Sequence, residues 1–236
     1  MTIRHKMEEC ISIPEHTVRT VTFDLSPKHL RAYKELEANA IIQLKDTRVS
    51  AVHKGALRTK LLQLASGAVY DTDGLAAVAS LERYELVLEL AEERESCVIA
   101  FNWTHQRDQL LALADKKGIK YALIDGTVKD AERQQAVKDF QSGKIKILFA
   151  HPMSAAHGLT LTKGTTTIWP GPIDDAERFQ QFNRRIYRAG QTRKTETIMV
   201  AANDTLDASV FERLNGKVSD MTDLLEILQT DIDLVA

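Results

Sequence analysis

Short runs of almost uninterrupted apolar residues, CVIAF (97–101), YALIDG (121–126), IKILFAH (145–151), TTTIWPG (165–171) and ETIMVAA (196–202), alternate with longer segments of helical periodicity. A strand that is apolar on both sides of its pleat has to be covered on both faces. Alternating helices supply that cover and the crossovers that parallel strands need. The pattern therefore restricts the chain to an α/β fold, a parallel sheet with helices on both faces. In such sheets ligand-facing loops gather outside the carboxyl ends of the strands. The loops at 102–104, 151–158 and 170–174 all follow strands, so they are expected on one edge.

The helices are legible in turn. SLERYELVLELAEER (80–94) places Leu81, Tyr84, Leu88 and Ala91 on one side. THQRDQLLALADKKG is a helix stopped by Gly118. Thr127 and Asp130 form a capping box for a helix that reaches Phe140. Two further helices are expected at 205–215 and 220–229. Residues 1–75 lack the alternation and read as a linker with a mostly helical extension; residues 76–236 read as the sheet-bearing lobe. A formal net charge of −2 gives no overall attraction to nucleic acid, so any such contact must come from local patches. Cys10 and Cys97 lack metal-ligand spacing, and Cys97 opens an apolar run as a small buried hydrophobe, which favours a reducing, cytoplasmic setting. No apolar run reaches membrane-spanning length, and no signal-peptide pattern is present, so no membrane partner is expected.

The run QQFNRRIYRAGQ (180–191) carries the chemistry. Read as a helix, it puts Gln181, Arg185 and Arg188 on one side, and Phe179, Phe182, Ile186 and Ala189 on a separate apolar stripe. The stripe buries against the sheet and leaves an amide and two guanidiniums along the flank. Guanidiniums stay charged and present forked donors that match phosphate oxygens. The bland reading of the same residues is a solvated basic face.

Gln181, Arg185, Arg188, Gly190 and Gln191 spell Q-x-x-x-R-x-x-R-x-G-Q, which resembles motif VI of the Swi/Snf family of ATP-driven translocases on double-stranded DNA, within helicase superfamily two. HPMSAAHGLTLT (151–162) resembles motif V in a phage or prophage version, with Thr160 where asparagine is common and Ala155–Ala156 where paired glycines are. CVIAFNWTHQRDQL (97–110) resembles motif IV, and LIDGTVKDAERQQAVKDFQSGKIKILFA (123–150) resembles the block between them. In residues 3–33, Pro14, Leu25–Ser26 and His29 partly match the stretch that leaves the first lobe. LRTKLLQLASG (57–67) resembles a segment that ends on a glycine, here Gly67.

The resemblance implies a RecA-like C-terminal lobe. Arg185 and Arg188 become arginine fingers for ATP with Mg2+ held mainly by a first lobe. Gln181, Gly158 and Gln191 become nucleotide-side residues, Gly158 because a side chain would block close backbone approach. Asn102, Trp103, Thr104, Gly126 and Thr127 become contacts to the DNA backbone. For Thr104 and Thr127 simple helix capping is the competing reading, and for Trp103 it is core packing. Arg133 is as well suited to an ion pair as to DNA. His151 and His157 gather no further ligands, and no metal site is expected.

The sequence holds no G-x-x-x-x-G-K-[ST] loop and no D-E-x-H tetrad, both of which a complete motor needs. The expected partners are an N-terminal RecA-like lobe, on the same polypeptide or a separate subunit, and duplex DNA. The abrupt start of the resemblance favours a piece of a longer polypeptide. The rival reading is a non-enzymatic module that keeps the lobe fold to bind DNA or protein, with VSDMTDLLEILQTDI (218–232) as a docking helix. A weaker third reading is an RNA helicase lobe.

Overall fold

Burial on both faces shapes the apolar runs into a six-stranded sheet. The computed structural model describes residues 13–39, 41–44, 47–50, 54–70, 74, 76–155 and 158–217. The elements begin with β1 (His16–Phe23), α1 (Pro27–Asn39), the hairpin β2 (Ile41–Leu44) and β3 (Thr47–Ser50), α2 (Lys54–Ala65), and the hairpin β4 (Ala68–Tyr70) and β5 (Ala76–Val78). They continue with α3 (Glu82–Glu92), β6 (Cys97–Ala100), α4 (Thr104–Lys117), β7 (Tyr121–Ile124), α5 (Asp130–Gln141) and β8 (Ile147–Ala150). Last come α6 (Pro152–Ala155), β9 (Thr166–Trp169), α7 (Ala176–Asn183), β10 (Thr195–Ala202) and α8 (207–217).

The main sheet has the order β1-β10-β9-β6-β8-β7 with every pairing parallel. Each strand sends alternate residues to opposite faces. Val98, Ala100, Leu148 and Ala150 join Phe140, Phe179, Phe182, Ile186, Phe211 and Leu214 in one core, beneath α5, α7 and α8. Cys97, Ile99, Ile147 and Phe149 join Tyr84, Val87, Leu88, Leu110 and Leu113 in the other, beneath α3 and α4. The expected apolar face of α3 is therefore the buried one, and Gly118 closes α4 in the left-handed conformation (φ 68°). Burial pushes the Cys97 thiol up to about 12, which makes it an inert packing group.

The boundary expected near residue 75 is not a divide in the sheet. HTVRTVTF forms β1, which pairs with β10 from His16↔Thr195 to Phe23↔Ala202. Four of its central residues are exposed and only Val21 and Phe23 pack on the core, so an edge strand with polar alternation left no apolar run to read. Helices α1 and α2 were anticipated, and α1 starts just after Leu25–Ser26. They build a satellite core of Tyr33, Leu36, Leu61, Leu64, Ala65 and Val69. Gly67 closes α2 with φ 102°, and a Cβ there would lie 2.5 Å from the Ser80 carbonyl oxygen, so only glycine fits. Cys10, Ala156, His157 and the segment 218–232 lie outside the described residues.

A buried ion pair joins these parts. Arg83, on α3, donates to Asp207 Oδ2 and to the carbonyls of Ala65 (2.8 Å), Pro170 (2.5 Å) and Val200 (2.9 Å). Its guanidinium lies 5.1 Å from the Phe23 ring centroid on β1. Asp207 Oδ2 also accepts the Ala202 N–H (3.1 Å). Replacing Asp207 by Asn leaves a buried guanidinium without its counter-charge, which should cost about 3–5 kcal/mol. Urea denaturation should show that loss, and the apolar pair Arg83→Met with Asp207→Leu should recover part of it. A cost near zero for Asp207→Asn would show that the pair does not hold the elements together.

Candidate functional site

Because the strands are parallel, the loops after β6, β7, β8 and β9 emerge on one edge, as expected. Asn102 and Trp103 follow β6. Gln106 Oε1 accepts the N–H groups of Asn102 (2.7 Å) and Trp103 (3.3 Å), so Gln106 closes the start of α4 and Thr104 is not its cap. Trp103 is half-buried and stacks on His105, with centroids 5.7 Å apart and planes 13° apart. After β7, Gly126 is exposed. Thr127 donates both its N–H (2.8 Å) and its hydroxyl (2.6 Å) to Asp125 Oδ1, while Arg107 donates to Asp125 Oδ2 (2.9 Å). The expected capping box of Thr127 and Asp130 does not form: Lys129 is the N-cap of α5, without a side-chain hydrogen bond. Thr127 spends its donors on Asp125 rather than offering them to a phosphate. Burial pushes the Asp125 carboxyl up, but the bonds from Thr127 and Arg107 outweigh it and leave the group below its ordinary value. Arg133 takes the ion-pair option, 3.4 Å from Asp130.

A cavity of about 260 Å³ opens on this edge between the loops. Asn102, Trp103, His151, Ile173, Asp174 and Arg178 line it. Desolvation lowers the His151 pKa, partly opposed by a hydrogen bond with the Asn102 backbone. Among the described residues no three His, Cys, Asp or Glu side chains gather to hold a metal ion.

The arginine segment departs from the helical reading. Helix α7 starts at Asp175, whose Oδ1 accepts the Arg178 N–H (2.9 Å), and ends at Asn183. Tertiary bonds then hold the segment, one of them taking a carbonyl that another helical turn would need. The Asn183 side chain accepts the Trp169 indole N–H (2.9 Å), and the Arg185 carbonyl accepts the Leu161 N–H (2.9 Å). Arg185 and Ile186 instead bond back to Phe182 and Asn183, tightening the chain into successive turns. Phe179, Phe182 and Ile186 still reach the core, and Trp169 packs on both phenylalanines; Ala189 is exposed.

Gln181, Arg185 and Arg188 therefore do not share one helical row. Gln181 is exposed and donates to Glu177 one turn back (2.8 Å). Arg188 Nη1 donates to the Leu159 carbonyl (3.3 Å), which brings it to the Gly158–Leu159 turn. Burial, then the charge of Arg188, lowers the pKa of Arg185. Tyr187, between the two arginines, packs its ring 4.8 Å from that of His16 at the start of β1. Neither Arg185 nor Arg188 lines the cavity. Gly158 sits at φ 67°, which favours glycine, but a Cβ there would meet nothing within 4 Å. The positive φ is reason enough for glycine within the fold. Gln191 is a structural clasp rather than a nucleotide ligand. It is buried, its Nε2 donates to the carbonyls of Thr162, Gly164 and Ile186 (each 3.0 Å), and its Oε1 accepts from Thr192 and Arg193.

Residues 81–190 match the helicase conserved C-terminal domain. Putative protein p41 of Acyrthosiphon pisum secondary endosymbiont phage 1 is 30% identical over 229 residues, covering 93% of this chain and 47% of the relative. A chromodomain-helicase-DNA-binding protein 1-like from Danio rerio is 25% identical over 230 residues, covering 91% of this chain and 22% of that protein. The crystal structure of the C-terminal part of the Fun30 ATPase domain superposes with a TM-score of 0.61 at 13% identity, over 94% of this chain and 99% of that one. The chain carries the helicase C-terminal domain and is similar to the C-terminal helicase lobes of Swi/Snf-type proteins. It spans about half the length of the phage relative and a smaller share of the eukaryotic one.

For this Swi/Snf-like lobe, motif reading found both candidate zones but missed their supports. Asp174 and Arg178 were unmarked in the sequence, although both follow a strand terminus that the apolar runs had located. His105 was also missed. Its Nε2–H donates to Ser66 Oγ (2.7 Å), whose hydroxyl donates to the Gln63 carbonyl (2.7 Å), which fixes the tautomer. Burial depresses its pKa from 6.5 to about 4. A histidine held neutral in the fold stabilises fully above its ordinary pKa, and that stability is lost as pH falls from about 6.5 to about 4. The loss should reach about 3 kcal/mol, at about 1.4 kcal/mol per unit. Urea denaturation across that range checks it, and His105→Gln should flatten the slope.

Proposed function

We propose that this chain is the second motor lobe of an ATP-dependent translocase on double-stranded DNA, completing a nucleotide site whose other half is a first RecA-like lobe. The observation that carries the reading is the placement of Arg188 at the Gly158–Leu159 turn, with Arg185 close enough to feel its charge, on a segment anchored by Phe179, Phe182, Ile186 and Gln191. The donor set fits a triphosphate. Burial first and the neighbouring Arg188 charge second disfavour the charged form of Arg185, and an anion between the two guanidiniums offsets the second cost. ATP with Mg2+, held mainly by the first lobe, supplies the phosphoryl group and its developing charge. Arg185 and Arg188 bring forked donors to that charge and stay protonated throughout. Contacts that favour ATP over ADP bias closure of the two lobes, and opening after hydrolysis gives a step along DNA.

Duplex DNA is assigned to the strand-terminal edge, where the loops after β6 and β7 present backbone near Asn102, Trp103, Thr104 and Gly126. Binding there reads charge and shape rather than sequence, so it should weaken steeply with salt. The relatives' names support this partner, as do the motif order and the family match.

The chain by itself should hydrolyse no ATP, with or without duplex DNA. With a Swi/Snf first lobe supplied in cis, turnover should appear, and Arg188→Ala should lower it by about 10³-fold or more. The same substitution should leave the urea midpoint nearly unchanged, since Arg188 makes one long bond to Leu159. A marked stability loss would instead make Arg188 a structural residue. Failure of the two-lobed protein to turn over ATP would favour a non-enzymatic binding module.

A further inference from the structure

The cavity on the strand-terminal edge holds an aromatic side chain that contact with a phosphodiester chain, which needs donors and positive charge, does not call for. Polar and apolar residues share its walls, and Trp103 lines it together with Leu62, Pro152, Pro172 and Ile173. The Trp103 indole is stacked on one side by the nearly parallel ring of His105. At about 260 Å³ the space falls below the range of about 300–1,000 Å³ typical of drug-sized ligands, which suits a single heterocycle. Polar groups converge on it: the Asn102 amide, the Asp174 carboxylate and the Arg178 guanidinium. The Asn102 Nδ2 makes only a long bond, 3.4 Å, to the Pro172 carbonyl, so the amide is readily turned to a ligand. Asp174 is tied to Arg58 (2.5 Å) and Arg178 to Asp175 (3.2 Å), so both charged groups at the cavity already have partners.

We propose that this cavity receives an unpaired nucleobase, stacked on Trp103 and hydrogen-bonded along its edge by Asn102. An aromatic side chain in a cavity wall recognises a ring by stacking, and an amide is the side chain that pairs with a base edge in two directions at once. The pocket thus gives the lobe a preference for DNA carrying an extrahelical or single-stranded base over a perfect duplex. The inference rests on DNA being the partner of this edge.

The test uses the chain as it is and short duplexes of three kinds: fully paired, with one bulged nucleotide, and with the same bulge abasic. Its two tryptophans separate cleanly, since Trp169 is fully buried and Trp103 lines the cavity. The bulged nucleotide should bind about tenfold more tightly than the abasic bulge, as expected for one stacked base, and should quench Trp103 emission. Trp103→Ala should bring that ratio to about one, and Trp103→Phe should restore much of it. Unchanged Trp169 emission in both variants checks their folding. Equal affinity for the two bulges overturns the base pocket while leaving DNA as the partner. Absence of binding to all three duplexes removes both.

Discussion

A single guanidinium sits where the main pieces of the molecule meet. Arg83 reaches the ends of α2, β9 and β10, the start of α8 and the face of Phe23, so a charge that would cost much to bury alone is satisfied on several sides. The carbonyls of Ala65, Pro170 and Val200 have this donor in common. Pro170 opens the loop that forms one wall of the cavity, and Ala65 ends the helix whose Thr59 and Leu62 form another. The N-terminal segment, the sheet and the cavity rim are therefore set by one buried charge.

That dependence separates the two candidate zones. The strand-terminal edge is stiffened from below by Arg83, by the Ser66–His105 bond under Trp103 and by the Arg107–Asp125 pair under Thr127. The arginine segment is held by Gln191, which gathers carbonyls from the turns on either side, and by phenylalanines anchored on Trp169. The supports differ, but the zones meet at α7, which carries Arg178 in the cavity wall and Phe179 and Phe182 in the core.

The sheet was legible because strands buried on both faces leave apolar runs that nothing else in the chain imitates. Helices α3 and α4 were legible because one face of each is apolar. The edge strand β1 was not, since solvent on its outer side allows threonine and arginine in the middle. Arg83 stands among glutamates on its helix, and its partner lies 124 residues away, beyond any local pattern. At the candidate site, residue types located the arginines, but spacing misled about their geometry. Residues four apart suit a helix, and here bonds from Leu161 and to Trp169 ended the helix early. Gln191 shows the same limit: its place in the motif was right, yet its amide is consumed by backbone carbonyls.

The pairing of β1 with β10 joins residues 179 apart, such as His16 and Thr195. Contacts so distant in sequence form slowly, because a long loop must close before they return any stability. A ribosome releasing this polypeptide exposes β1 well before its neighbour β10. Throughout that interval the strand carries unpaired amides, and Arg19 among its exposed residues is the kind of charge that discourages wrong partners. The order in which the lobe is made thus leaves β1 waiting for β10.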